Sequence, residues 1–477
     1  MALPSAQAAC GWNKCPADVL YMIFRLLSPA ELHELCLVSQ HFRTMAESRL
    51  YSKIQFTWQE SPDYYSPLEP PPPLTQLLRT LLSRPQLADY ITNLRLDGRA
   101  HALNATRYTL PRIHILEAEL DVPVAFIRRT GVPFTDHWIQ ELRDGSIDAL
   151  VALLLAQLPR LRFLYFGRAF TRQSALIGRV LNSAVCEAGT NHLPNFEHLE
   201  EVSFLHREDR DEACDRKIKN TADILPLFYL PAIKYLSASI QNPDKWAWPC
   251  KHQPTATKLT SLDLTNIREA HLGEVLAVTP NLETLRWKWY YDQGVRDTFT
   301  TQTVNLDQIA TAISHVQKTL TTLTITADCS IAHAIGCPFL PGLKSHGSLK
   351  PIAHFTTIKT LQIPWAFLVG FSPETNPTQR LQDVIPRNIE SLILTDDLAL
   401  QNIDYMEPWP AWEWEYSTIL DVLEAWLEDE WAMYTPRLRC VTLVLSWIDV
   451  DRDRGLFAAL GARVGVRLEL VELDSYT

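Results

Sequence analysis

The stretch LTSLDLTNIREAHLGEVLAVTPNLETLRW, residues 259–287, decides the fold. It begins with the pattern Leu-x-x-Leu-x-Leu at 259–264 and ends with the same pattern at 282–287, where Trp287 takes the last place. Between the two copies, residues 268–278 carry apolar side chains at helical spacing. A short strand with alternating side chains, then a helix, then a second strand predicts parallel strands joined by helical crossovers.

The same pattern recurs about ten times along the chain. Its copies begin at Ile91, Leu161, Leu199, Ile233, Leu259, Leu282, Leu320, Ile358, Ile389 and Leu438. The clearest helical stretches between or beside them are 74–82, 146–157, 172–186, 268–278, 305–317 and 417–433. A strand that alternates with a helix at this period is the signature of a leucine-rich-repeat solenoid. The predicted class is α/β, and the predicted architecture is an array of such repeats.

The repeats depart from the usual pattern in one respect. Leucine-rich repeats commonly place Asn or Cys three residues after the last leucine of the motif, whereas here those positions hold Ile267, Tyr290 and Asp328. We therefore expect the usual buried polar ladder to be missing and the solenoid to be irregular. A conventional doubly wound α/β sheet is the alternative, but the scarcity of glycine, 16 residues in all, does not favour its glycine-rich turns.

The repeat pattern also predicts a binding face. Strand side chains alternate, so the leucines point into the core and the residues between and after them point outward on the concave sheet. Aromatic and arginine side chains on such a face can anchor a partner. The candidates for contact with a substrate are Arg95, Tyr165, Tyr235, Asp263, Arg286 and Lys288. We expect Arg286 and Lys288 together to receive an acidic or phosphorylated segment, with a solvated face and an ion pair to Asp263 as the alternative.

Residues 14–54 have a different pattern, that of three short helices. Apolar residues follow helical spacing from Val19 to Leu27, and Ser28-Pro29-Ala30-Glu31 is a capping box that starts a second helix. A third helix follows from about Ser39. Three helices in about 40 residues rarely bury all their apolar surface against one another, so part of it should meet a partner or the rest of the chain.

This segment resembles the F-box family. The match comprises Pro16, Asp18, Val19, Leu20, Ile23, Phe24, Leu27, Pro29, Leu32, Leu35, Leu37, Val38, Ser39, Phe42, Arg43, Leu50 and Tyr51, with Cys15 where the family usually has Leu. The resemblance implies that the segment docks onto a Skp-family adaptor and, through it, a cullin. The implied adaptor-binding residues are Pro16, Val19, Leu20, Ile23, Phe24, Leu27, Pro29, Leu32, Leu35 and Val38.

The resemblance therefore implies a substrate-recognition subunit of a cullin-based ubiquitin ligase, whose repeats capture a protein substrate of unknown identity. Three alternatives remain open: an F-box scaffold outside any ligase, a repeat protein for protein–protein interaction without an F-box, and an enzyme with a site assembled across the repeats. The chain also resembles fungal F-box proteins in its proline-flanked repeats and its tryptophan-rich acidic insert.

The predicted organisation has four parts and one insert. They are an N-terminal tail at 1–13, the F-box at 14–54, a proline-rich connector at 55–73 and the solenoid at 74–477, with the insert near 396–431. The segment 60–73 carries several prolines, which break helices and sheet interiors, so we expect an exposed connector there. The window 388–436 has no Lys or Arg and includes Trp409, Trp412 and Trp414. We favour tryptophans packed on the solenoid over a basic partner for this insert.

Composition excludes several other functions. The net charge of −11 argues against a general nucleic-acid binder, and no run approaches the roughly 18 apolar residues of a membrane span. Nine scattered cysteines and the lack of a secretory pattern indicate reduced thiols in the cytoplasm, the nucleus or both.

We find no nucleotide-binding or hydrolase motif, and we expect no catalytic residue, metal or cofactor. Asp449, Asp451 and Asp453 lack the Gly and Glu of a calcium loop, and Cys250 with His252 has no second ligand pair.

Overall fold

A computed structural model describes most of the chain. The described residues are 15–58, 71–97, 112–113, 115–171, 174–187, 189–204, 220–292, 298–330, 332–334, 337–339, 343–373, 380–399, 414–428, 431–445 and 450–472. The predicted tail at 1–13 and most of the proline-rich segment at 60–73 lie outside these residues, as do residues 400–413 and 429–430 of the insert.

The described chain opens with three helices, as predicted. They are α1 (Ala17–Phe24), α2 (Pro29–Val38) and α3 (Gln40–Leu50). The capping box at the start of α2 forms: the Ser28 hydroxyl accepts the Glu31 backbone N–H at 3.3 Å, and the Ser28 N–H donates to the Glu31 carboxylate at 2.7 Å. At the start of α3, Ser39 Oγ accepts the Phe42 N–H at 3.2 Å. We call residues 15–50 the helical unit.

A parallel sheet follows, and twelve strands of the described chain join it in sequence order. They are β1 (Lys53–Thr57), β2 (Asn93–Asp97), β3 (Phe163–Phe166), β4 (Glu201–Phe204), β5 (Tyr235–Ser239), β6 (Ser261–Thr265), β7 (Thr284–Asp292), β9 (Thr322–Ser330), β13 (Thr360–Pro364), β14 (Ser391–Thr395), β15 (Cys440–Leu445) and β16 (Arg467–Glu472). The strand order distinguishes a solenoid from a doubly wound sheet, in which the order reverses at a switch point. The predicted α/β solenoid is thereby confirmed.

Four short strands form two small pairs beside the main sheet. One pair is parallel and consists of β8 (Thr303–Asn305) and β12 (Lys344–His346). The other pair is antiparallel and consists of β10 (Ala332–Ala334) and β11 (Cys337–Phe339). Because all four lie between residues 303 and 346, they elaborate the repeats around β9 rather than extend the array.

The ten sequence motifs coincide with ten of the twelve strands. The register places the middle apolar residue of each motif beside that of the next, as in Leu236, Leu262, Leu285 and Leu323. Every motif position from Ile91 to Leu443 is at most 5 % exposed. The leucines therefore form the predicted inward face. The strands β1 and β16 were not predicted.

Helices close the other side of the core, where parallel strands require crossovers. They are α4 (Leu74–Ser83), α5 (Asp121–Thr130), α6 (Thr135–Arg143), α7 (Ile147–Leu155), α8 (Arg168–Thr171), α9 (Ala175–Cys186), α10 (Thr221–Ile224), α11 (Glu269–Leu276), α12 (Leu306–Ser314), α13 (Trp365–Val369), α14 (Tyr416–Glu428), α15 (Trp431–Tyr434) and α16 (Val450–Val464). All six predicted helical stretches contain a helix. The stretch predicted at 417–433 is covered by both α14 and α15.

The helical unit passes directly into the sheet. Residues 53–57, of which 55–57 fall in the predicted connector, form β1 and pair along their whole length with β2. The parallel sheet thus begins at residue 53, before the predicted start of the solenoid at 74, and Ile54 and Phe56 pack on the solenoid core while Trp58 is buried. Across the same junction, the two terminal guanidinium nitrogens of Arg84, Nη1 and Nη2, donate to the two Glu47 carboxylate oxygens at 2.9 and 2.8 Å.

A short polar ladder does exist in the middle of the array, contrary to the expectation. The Asn242 side chain donates to the Asn266 carbonyl at 3.2 Å and accepts the Arg268 N–H at 2.8 Å. Asn220 does the same for Ser239 and Gln241, at 2.8 and 2.9 Å. Asn242 stands one residue later than the position that the motif indicates, so the sequence pattern did not reveal it.

Candidate functional site: two surfaces of a helical unit and a repeat array

The helical unit has a small core of its own. Leu20, Phe24 and Leu32 are at most 3 % exposed and pack with Cys36, Phe42, Met45 and Ala46. The rings of Phe24 and Phe42 meet edge to face with their centroids 6.0 Å apart. Three of the ten residues that the F-box resemblance implies for docking therefore hold the unit together from inside.

The other seven implied docking residues lie nearer the surface. Ile23, Leu27 and Leu35 are half-buried at the edge of the unit's core. Four more are exposed: Pro16, Val19, Pro29 and Val38. Their contact with an adaptor stays a prediction.

Sequence reasoning missed most of the apolar side chains that the unit presents to solvent. Leu26 is 85 % exposed, Leu37 63 % and Met22 61 %. With Val19, Tyr21 and Val38 they form what we call the apolar surface of the helical unit. On α1, Val19 and Met22 are three residues apart and therefore lie along one side, and Leu26 follows in the turn after the helix. Exposed apolar residues gathered on so small a unit indicate an interaction site.

The strand register builds the second surface, the concave face of the sheet. Arg95, Tyr165, Asp263 and Arg286 all take the outward position between the second and third apolar residues of their motifs. Tyr235 lies two residues earlier on its strand, opposite Glu201 and Ser261. Lys288 lies two residues later than Arg286 and opposite Thr265. All six predicted candidates thus share one face.

Two of these candidates form a pair near the start of the array. The Arg95 guanidinium lies 4.2 Å from the centroid of the Tyr165 ring, which is a cation–π contact between neighbouring strands. Arg95 also contacts the Asp97 carboxylate at 3.0 Å. Since Arg95 is about half exposed, this ion pair adds little stability, and the stacked ring fixes the guanidinium at the surface.

Asp263 and Arg286 face each other across β6 and β7. Burial raises the pKa of the Asp263 carboxyl, and the Arg286 charge opposes that rise. Burial also raises the pKa of the Tyr235 hydroxyl, against a hydrogen bond with Ser237 that lowers it. Arg286 itself is exposed, whereas Asp263 and Tyr235 are half-buried. The Arg286 guanidinium is therefore exposed beside a half-buried carboxyl.

Lys288 differs from the expectation. Its Nζ lies 3.0 Å from the Asp328 carboxylate on β9, and both side chains are 29 % exposed. Asp328 is reached because β7 and β9 run on past the motif and remain paired as far as Asp292 and Ser330. Of the two basic residues predicted to bind together, Arg286 is exposed, whereas Lys288 already has an acidic partner in Asp328.

The structure describes residues 396–399, 414–428 and 431 of the acidic insert. Trp414 is 8 % exposed, its ring lies 5.3 Å from that of Trp365, and its indole N–H donates to the Gly370 carbonyl at 2.9 Å. This tryptophan packs on the solenoid as predicted. Trp409 and Trp412 lie outside the described residues.

The described residues hold no cluster of three or more side chains suited to a metal ion. Residues 450–464 form α16, so Asp451 and Asp453 lie in a helix and not in a calcium-binding loop. Near Cys250, the Tyr229 hydroxyl donates to the His252 carbonyl at 2.6 Å. In the part of the chain that the structure describes, no helix is both long enough and apolar enough to span a bilayer.

Comparison with known families finds a match for each of the two parts of the chain. A leucine-rich repeat domain model matches residues 72–473, and an F-box-like model matches residues 12–57. The chain belongs to the F-box proteins with leucine-rich repeats. No curated protein matches it.

In this F-box protein, the F-box match and the parallel sheet overlap in one strand. The F-box match ends at residue 57, the last residue of β1, so the family model and the sheet meet at the same strand. The F-box therefore shares a strand with the repeats, and its apolar surface and the concave face belong to one continuous structure.

Proposed function

We propose that this F-box protein is the substrate-recognition subunit of an SCF-type ubiquitin ligase. Its F-box would dock onto a Skp-family adaptor, which connects it to a cullin, and its repeats would capture a protein substrate. The observation that carries the proposal is the apolar surface of the helical unit, where Leu26, Leu37 and Met22 are more than 60 % exposed although the unit already has a closed core. Burying such side chains against a partner is worth about 1.5–3 kcal/mol each.

The junction between the two parts supports this role. A ligase subunit has to hold its substrate in a defined place relative to the adaptor. Here α3 leads through residues 51 and 52 into β1, and the Glu47–Arg84 pair spans the same junction. Glu47 is only 13 % exposed on its side chain, so this ion pair is better shielded than an ordinary surface pair.

The proposal assigns no catalytic step to this chain. In such an assembly, other subunits supply the transfer chemistry, and this chain supplies two binding surfaces. We place the complex in the cytoplasm or the nucleus, and its partners are proteins and not nucleic acid or membrane.

Affinity purification of the tagged chain tests the proposal. The proteasome is blocked so that captured substrates persist, and the bound proteins are identified. Recovery of both a Skp-family adaptor and a cullin supports the proposal. An adaptor without a cullin would indicate the scaffold alternative, and the lack of both would contradict docking by the F-box.

A matched pair of variants makes the purification specific. Met22→Asp with Val38→Asp charges the apolar surface of the helical unit, whereas Leu116→Asp charges a side chain that is 71 % exposed outside the unit. The account predicts that only the first variant loses the adaptor.

A further inference from the structure

We infer that the first half of the concave face receives an extended segment of a partner protein, and that Arg286 binds an anionic side chain of that segment. The inference rests on the proposed function, because it concerns the substrate that the repeats capture. The shared chemistry is a carboxylate or a phosphate oxygen, and the experiment below separates the two.

The anchoring groups are concentrated in this half of the array. The outward positions on β3, β5 and β7 hold Tyr165, Tyr235 and Arg286, the types of side chain that dominate binding energy at interfaces. From β9 to β15, the equivalent outward positions hold Thr324, Gln362, Ile393 and Thr442, none of them charged or aromatic, and an acidic residue, Glu469, follows on β16. A partner seated on the later strands would meet few anchors.

Small residues separate the anchors and leave them raised above the floor. Ser203 and Ser237 take the outward positions on β4 and β5 in the same row as Tyr165. Ser261 lies opposite Tyr235 on β6. Because serine side chains are short, a backbone can approach the sheet at Ser203 and Ser261, which are half-buried, whereas Ser237 is only 5 % exposed.

The strand spacing sets the length of the segment. Neighbouring strands lie about 4.8 Å apart, so Tyr165 on β3 and Arg286 on β7 are separated by about 19 Å. An extended chain rises about 3.3 Å per residue and covers that distance in about six residues. Tyr235 on β5 lies midway between them across the strands but two residues, about 7 Å, earlier along the strand direction. We therefore expect contacts at about every third or fourth residue.

Charge decides the chemistry at the β7 end. Arg286 is exposed, and a guanidinium binds carboxylate and phosphate oxygens in a planar, two-pronged manner. Its cross-strand neighbour Asp263 is half-buried and thus less available to solvent than the guanidinium. Glu201, exposed opposite Tyr235, disfavours an acidic residue in the middle of the segment. The acidic residue should therefore be restricted to one end.

A positional peptide library tests the inference on the full chain. Ten-residue peptides carry one fixed residue at each position in turn: Asp, phosphoserine, Ala or Lys. We expect Asp or phosphoserine to be preferred over Ala and Lys near one end only, and the stronger of the two anionic arms identifies carboxylate or phosphate. Arg286→Glu should weaken the selected peptide by about 10- to 100-fold, the range for a hydrogen bond to a charged group.

Arg160→Glu is the matched control, because Arg160 is also exposed but lies in the turn before β3 and outside the concave row. It should leave peptide binding unchanged. Equal binding of all four arms, no binding by any of them, or equal affinity of wild type and Arg286→Glu would overturn the inference. Adaptor binding is measured on the same preparations. A chain that binds the adaptor but shows no anionic preference refutes this inference alone, whereas one that selects anionic peptides without binding the adaptor refutes the proposed ligase role.

Discussion

Two carboxyl groups at the start of α9 make the stability of this protein depend on pH. Asp148 on α7 accepts the backbone N–H groups of Leu176 and Ile177 at 2.7 and 3.0 Å. Asp223 on α10 accepts the Ser174 hydroxyl at 3.1 Å. The pKa of each carboxyl is raised to about 7, mainly by burial, and at Asp223 the Asp148 charge contributes to the rise. We predict that Asp223→Asn stabilises the protein at pH 8 and much less at pH 5.

The sign follows from where the proton is held. A folded-state pKa of about 7 lies above the ordinary value of 3.8, so the folded protein keeps a proton that the unfolded chain releases. Stability is therefore lost as the pH rises from about 4 through 7. The whole rise would correspond to about 4 kcal/mol at 1.36 kcal/mol per pKa unit. Because Asp223 is not fully buried, we expect roughly 1–3 kcal/mol between pH 5 and pH 8.

Urea unfolding followed by tryptophan fluorescence at pH 5 and pH 8 measures the effect. The asparagine amide oxygen can still accept the Ser174 hydroxyl, so the variant keeps that contact while losing the titration. Asp244→Asn, at an exposed loop position, is the control and should show no such pH dependence. An Asp223→Asn variant whose free energy of unfolding differs from wild type by the same amount at both pH values would refute the reasoning.

Three further outcomes are expected. Arg84→Ala leaves the Glu47 carboxylate, 13 % exposed, without its partner and should lower the free energy of local opening at the junction by about 1–3 kcal/mol. Hydrogen exchange in α3 and β1 should then be faster than in the wild type. Arg268→Met leaves Glu269, 5 % exposed on its side chain, as an unpaired buried charge, which should cost about 3–5 kcal/mol in urea unfolding; an unchanged midpoint would contradict a structural role for this pair. Trp414→Ala removes a buried ring and its hydrogen bond and should cost about 3–5 kcal/mol, with peptide and adaptor affinities unaffected.

The periodic part of the fold could be predicted from the sequence because the alternation of side chains along a strand puts all the leucines of a motif on the same face, which has to be the buried one. A residue such as Leu262 or Leu285 repeats in register, and its burial follows from the pattern. The sequence pattern did not predict the first strand, β1, because this strand lacks the leading leucine and has only Ile54 and Phe56 as inward residues. The helical unit, and not a preceding repeat, comes before β1 in the chain.

The apolar surface of the helical unit was harder to predict than the fold. Helical spacing shows that apolar residues such as Leu20 and Met22 exist on α1, but which of them point into the unit depends on how α1 and α2 lie against α3. The same limitation applies to Lys288. Its partner Asp328 comes from β9, and the sequence motif ends before the paired part of β7 and β9 does.

The affinity of the chain for a purified Skp-family adaptor tests the central claim most directly. Met22→Asp with Val38→Asp places two charges where the account has apolar side chains meeting the adaptor. At about 1.5–3 kcal/mol for each buried side chain, the affinity should fall by at least about a hundredfold. Leu116→Asp should bind as wild type does, and both variants should keep the unfolding midpoint of the repeats. An unchanged affinity in the double variant would contradict docking through the apolar surface of the helical unit.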